Sequence, residues 1–187
     1  MHITPTQAPR QFWWDRARPV DADVSPLRAA IFDLDALADA EGEPRAGLAD
    51  LVMSLFVAGV WVGVVSPERR DRVQPLVRQL LGDGIVETVV TGDDVTDMAS
   101  DAETYRLALW ELGLTAESAL AVVGSGRGLR AAVAAGLPAV VVSTDDTAGT
   151  GAVAVRACYD GLLVEDCRQL VRWWWVAQRR SELLASA

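Results

Sequence analysis

The chain contains no lysine: arginine supplies all 17 of its Lys+Arg residues. It has a single histidine, His2, next to the first residue. Without lysine there is no Schiff-base chemistry and no phosphate-loop lysine. Without a histidine elsewhere, a serine or cysteine nucleophile lacks its usual base. Carboxylates are the main side chains left for covalent or acid–base work. Cysteine is scarce too. Cys158 and Cys167 fit neither a zinc spacing nor a short redox motif, and read as ordinary thiols. No apolar run approaches the ~20 residues that cross a bilayer. The opening "MHITPTQAPRQFWWDRARP" has no apolar stretch of signal-peptide type, so the expectation is a cytoplasmic protein with no membrane association. Over the chain as a whole positive charge is outweighed, 17 to 26. The formal net charge of −9 argues against non-specific nucleic-acid binding, which needs a basic surface.

What the chain does have is apolar mass: 51% of its 187 residues are hydrophobic, enough for one domain with a substantial core. Residues 1–28 are polar, contain proline and carry Trp13 and Trp14, and read as an N-terminal extension. From residue 29 to 187 the pattern is that of one α/β core. Short apolar runs at 29–32, 60–65, 85–90, 119–124 and 139–143 alternate with helix-like spacing near 45–58, 69–82, 102–113 and 127–135. Ser66-Pro67 has the form of an N-cap followed by a first-turn proline. Gly59, Gly113 and Gly136 stand where helices end. Near-continuous apolar strands alternating with helices indicate an α/β class: a Rossmann-like, doubly wound parallel sheet with helices on both faces. The segment of about 167–184 reads as a C-terminal helix carrying Trp173, Trp174 and Trp175. Consecutive helical positions lie about 100° apart, so at least one of the three is exposed or meets a partner.

The stretch "AAIFDLDALADA" at 29–40 places Asp33 and Asp35 at the end of the first apolar run. On a strand, residues i and i+2 share a face, where two carboxylates repel unless a cation or donor intervenes. In a parallel sheet, ligands bind at the carboxyl ends of the strands. Asp33, Asp35, Ser66 and the loop "GSGRG" at 124–128 all fall at that edge.

The order of these features resembles the haloacid dehalogenase superfamily, in its phosphatase branch. "IFDLDAL" (31–37) is similar to the family's first motif and "AGVWVGVVSPERR" (58–70) to its second. "ETYRLALWELGL" (103–114) is similar to the helix after the third motif, and "AVVGSGRGLRAAVAAGLPAVVV" (121–142) to the fourth. The resemblance implies a hydrolase acting on a phosphate ester, with Asp33 as nucleophile and Asp35 as general acid and then base. It implies that Ser66 hydrogen-bonds a phosphate oxygen and that Mg²⁺ binds the Asp33 carboxylate and the Asp35 backbone carbonyl, with a further acid from the fourth motif. Arg127 and Arg130, in or just after the fourth-motif loop, are candidate substitute cations, with Arg127 the expected one on phosphate. The substrate would be a phosphorylated small molecule or a phosphoprotein. Too few residues lie between Asp33 and Ser66, or between Thr91 and Asp101, for a cap domain. The expected site is therefore open, unless a second copy or a protein partner meets the Trp-rich termini.

Departures from the family pattern bear on the chemistry. Ala36 and Leu37 replace its usual glycine and its usual threonine or valine. The third-motif lysine position falls at Ala99, and the fourth-motif acid at Gly124 or Ser125. These losses imply weak Mg²⁺ binding and an activity that is weak or lost. If the site were merely eroded, Ala99→Lys with Gly124→Asp would restore it. Two alternatives stay open: a catalytically inactive binding or interaction module on the same fold, and a nucleotide-binding α/β domain using the 124–128 glycines with Asp145 and Asp146.

Overall fold

The structure, a computed structural model, describes residues 26–95, 102–143 and 151–185. Six strands form one parallel sheet: β1 (Ala29–Asp33), β2 (Trp61–Val65), β3 (Val86–Val90), β4 (Ala119–Val123), β5 (Ala139–Val142) and β6 (Ala154–Arg156). Their spatial order is β3-β2-β1-β4-β5-β6, with β1 at the centre and the chain winding outward in both directions. The helices are α1 (Leu34–Leu37), α2 (Leu48–Val57), α3 (Arg70–Leu81), α4 (Ala102–Glu111), α5 (Gly126–Ala134) and α6 (Val164–Ala185).

Strand alternation divides the core into two layers. Ala30, Phe32, Val62, Val64, Leu120 and Val122 face α2, α3 and α6. Ala29, Ile31, Ala119, Ala121, Val123 and Val141 face α4 and α5. Burial on both faces explains why β1, β4 and β5 read as unbroken apolar runs. Gly59, Gly113 and Gly136 close α2, α4 and α5 with positive φ. Between β1 and β2 the chain spends its length on α1, a small turn bridged at Ala38 and Pro44, and α2. No cap is inserted there.

Three expectations change. Helix α3 starts at Arg70 rather than at Ser66-Pro67. The Ser66 hydroxyl instead accepts from the Glu68 N–H at 3.2 Å, stabilising a turn ahead of the helix. Strand β6 was not read from the sequence, because three residues give no period. Helix α6 begins at Val164, with Asp166 accepting from the Leu163 N–H at 2.8 Å. Along α6, Trp173 is 58% exposed, while Trp175 packs against the core layer beneath it. Trp13 and Trp14 lie outside the described residues.

Candidate active site

Asp33 is the last residue of β1 and the N-cap of α1. Its Oδ1 accepts from the Ala36 N–H at 2.7 Å and from the Gly124 N–H at 2.9 Å. The second bond ties the end of β1 to the end of β4. Asp35 is not the strand residue that its spacing suggests. It lies in the first turn of α1, exposed, while Asp33 is only 7% exposed. Burial raises the Asp33 carboxyl from 3.8 to about 7; the two N–H donors oppose this, the Asp35 charge adds to it, and Arg45 opposes it.

A cleft of about 200 Å³ opens at this carboxyl edge, lined by Asp33, Asp35, Ser66, Glu68, Tyr105 and Arg127 among others. Ser66 is buried, with its N–H on the Val90 carbonyl at the end of the neighbouring strand β3. Arg127 stands exposed in the first turn of α5, which Ser125 caps by accepting from the Gly128 N–H at 3.2 Å. The four residues singled out from the sequence thus meet in one cleft. Ala99, Asp145 and Asp146 lie outside the described residues.

Two glycines are fixed by close approach. A Cβ on Gly128 would come within 2.0 Å of Asp33 Oδ2, and one on Gly124 within 2.2 Å of the Asp35 carbonyl oxygen. Gly124 is therefore no vacancy awaiting an acid. The Asp35 backbone rests where a side chain would begin, and Gly124→Asp cannot simply restore one. The two loops approach each other closely at this point.

That close approach bears on the metal the family resemblance implies. Mg²⁺ requires near-octahedral oxygen ligands, usually with one or two carboxylates. Here Asp33 Oδ1 already receives two N–H donors, and the Asp35 carbonyl accepts from Arg45 Nη2 at 3.2 Å. Gly124 offers no oxygen from a side chain, and no cluster of three acidic, histidine or cysteine residues exists among the described residues. The described donor set does not fit Mg²⁺.

Other groups supporting the site gave no signal in the sequence. The buried Tyr159, in the link between β6 and α6, donates its hydroxyl to the Ala36 carbonyl at 2.7 Å and meets Phe32 edge-on at 6.3 Å. Burial and the nearby Asp33 charge hold its hydroxyl well above the usual tyrosine range. Arg45 follows the 38–44 turn, and its own N–H donates to the Leu37 carbonyl at 3.0 Å. Beyond Ser66, Asp94 Oδ2 accepts from the Thr91 N–H at 2.8 Å, the Thr91 hydroxyl at 2.7 Å and Arg70 Nη2 at 2.6 Å. This joins the start of α3 to the end of β3. Tyr159 and Arg45 are recognisable only once the chain is folded.

A parallel α/β sheet with Asp33 ending its central strand, Asp35 in the turn that follows and Ser66 just past the end of the next strand defines the class. The chain belongs to the haloacid dehalogenase-like hydrolase family, whose model matches residues 34–142. Protein CbbY of Cereibacter sphaeroides is 37% identical over 107 residues, which are 54% of this chain and 46% of that protein. Phosphoglycolate phosphatase of Salmonella paratyphi A is 33% identical over 93 residues, 50% of this chain and 37% of that protein. The chain thus spans less than half the length of these two curated relatives. The crystal structure of CbbY from Rhodobacter sphaeroides in complex with phosphate is similar at a TM-score of 0.62 and 20% identity, covering 73% of this chain and 96% of that one. At that identity the likeness establishes the fold. No helix among the described residues is long and apolar enough to cross a membrane.

Proposed function

We propose that the chain is a phosphatase-type hydrolase that cleaves phosphate monoesters slowly through Asp33. The placement of Asp33 carries this reading: a buried carboxylate at the end of the central strand, with one oxygen tied by two backbone N–H groups and a cleft beside it. Ionised Asp33 attacks phosphorus, forming an aspartyl phosphate as the ester oxygen leaves with a proton from Asp35. Water, deprotonated by Asp35, then releases inorganic phosphate and regenerates Asp33. Ser66 and Arg127 hold phosphate oxygens, and the N-terminus of α5 favours the anion.

Family relatives named for phosphoglycolate support a small phosphorylated acid as one substrate to try. The test is hydrolysis of p-nitrophenyl phosphate and 2-phosphoglycolate by the parent and by Asp33→Asn. Turnover is expected to be slow but lost in the variant. It should rise with pH through about 7, because the ionised carboxylate is the nucleophile. Equal rates for parent and variant would overturn the proposal. A second reading, an inactive binding module, is favoured by the closed approach of Gly124 to Asp35. Phosphate binding without turnover would select it.

A further inference from the structure

We infer that the Arg45 guanidinium adds to Arg127 the positive charge that lets this site take up a phosphate-class anion without a divalent cation. The inference rests on the phosphate-ester reading above. Three observations converge on it.

The Asp35 carbonyl, an oxygen that the family resemblance gives to the metal, is held instead by Arg45 Nη2 at 3.2 Å. At Gly124, one of the two positions for the fourth-motif acid, a Cβ would come within 2.2 Å of that same carbonyl oxygen. Arg45 is also placed rather than free to wander. Ahead of it the turn is fixed by Asp39 Oδ1, which accepts from the Glu41 and Glu43 N–H groups at 3.0 and 2.9 Å. Behind it the Ala46 carbonyl accepts from the Tyr159 N–H at 2.9 Å.

The guanidinium itself is under-satisfied. Its Nε is buried and has no hydrogen-bond acceptor among the described residues. A buried unpaired donor on a charged group is costly, and an anion nearby offsets that cost. Asp35 lines both the Asp33 cleft and a wider cleft of about 640 Å³ that holds Arg45, Asp39, Glu41, Ser125 and Ser143. The two clefts therefore adjoin at the residue that Arg45 holds. Asp39 and Glu41 are the acids nearest in sequence to Arg45 in that wider cleft, and Asp39 spends Oδ1 on its own turn. A phosphate dianion would then be neutralised by a guanidinium, which cannot lose its proton and matches oxyanions in shape.

Binding of inorganic phosphate is measured by titration calorimetry, once with excess EDTA and once with excess MgCl₂, for the parent, Arg45→Gln and Arg45→Lys. The parent is expected to give the same Kd in both buffers. Arg45→Gln keeps an N–H donor but loses the charge, and its affinity in EDTA should fall by roughly tenfold or more. Arg45→Lys should recover part of it. Thermal melts report whether each variant folds, and if Arg45→Gln does not, the parent's response to MgCl₂ and Arg45→Lys decide. Phosphate binding that tightens tenfold with MgCl₂, or that Arg45→Gln leaves untouched, would overturn the inference and leave the phosphate reading standing. No phosphate binding in either buffer would instead remove that reading, and the inference with it.

Discussion

A buried carboxylate is tolerated when it is neutral or well donated to, and Asp33 combines partial donation with deep burial. In the unfolded chain it loses its proton near 3.8, whereas in the folded chain it holds the proton to about 7. Below 3.8 both states carry the proton and ionisation costs nothing. As pH rises from there to about 7, the unfolded state releases its proton first, so stability falls across that window. The full difference is on the order of 4 kcal/mol. Asp33→Asn keeps an acceptor for Ala36 and Gly124 but cannot ionise. Urea unfolding should find it more stable than the parent by several kcal/mol above neutrality, with the gap closing in acid. A gap that did not change with pH would show that Asp33 ionises without cost. The same scale shows what the sequence could reveal. Asp33, Ser66 and the 124–128 glycines stood out because motif spacing and strand ends are local features. Arg45 and Tyr159 reach the site through folding alone, the latter across 123 positions to Ala36, and no local pattern marks them. Gly124 was visible but misread: an absent acid looks like a gap in one dimension and is a packed contact in three. Gly124→Asp is accordingly expected to cost about 1–3 kcal/mol or more by overpacking. Mn²⁺ titration followed by electron paramagnetic resonance should register no gain in metal affinity. A folded variant that binds Mn²⁺ would show that the loops reopen.

Elements differ in how firmly they announce themselves. The central strands were plain because burial on both faces leaves them wholly apolar, and α5 was plain from its apolar spacing and the glycine that ends it. Short or irregular pieces were not. Helix α1 has four residues, and β6 has three. Their positions depend on each other: the link between β6 and α6 sends Tyr159 under α1, where its hydroxyl satisfies the Ala36 carbonyl. Tyr159→Phe leaves that carbonyl without its partner and should cost about 1–3 kcal/mol. Because the Ala36 N–H holds Asp33, turnover should drop as well as stability; an unchanged melting temperature would show that the bond is replaceable. The base of α6 supplies a second check. Burial pushes the Cys167 thiol up to about 12, with the Asp166 charge adding to it. Native protein should therefore expose no reactive thiol at Cys167 toward a disulfide reagent, and denaturation should release it. Rapid labelling of Cys167 in the native state would mean that the start of α6 opens readily.

For the molecule as a whole, the decisive feature is what is missing between β1 and β2. The relatives matched are longer proteins, and this chain spends that stretch on α1, a short turn and α2. The described cleft is about 200 Å³, room for a phosphoryl group and a little of its ester. The remainder of any substrate projects beyond it. Binding energy from remote parts of a substrate accelerates reaction only where protein surrounds those parts. Selectivity should therefore rest on the phosphoryl group and on how readily the ester oxygen leaves, not on the bulk behind it. Free phosphotyrosine and a phosphotyrosine peptide share one leaving group and differ only in that bulk. Comparing them isolates the effect, and kcat/KM should be roughly equal for the two. A preference of about a hundredfold for either corresponds to ~2.7 kcal/mol of extra transition-state binding. The walls of the Asp33 cleft of about 200 Å³ are too small to supply it. Such a result would mean that another part of the chain, a second copy or a partner closes over the site, and it would end the view of this fold as an open phosphate-ester site.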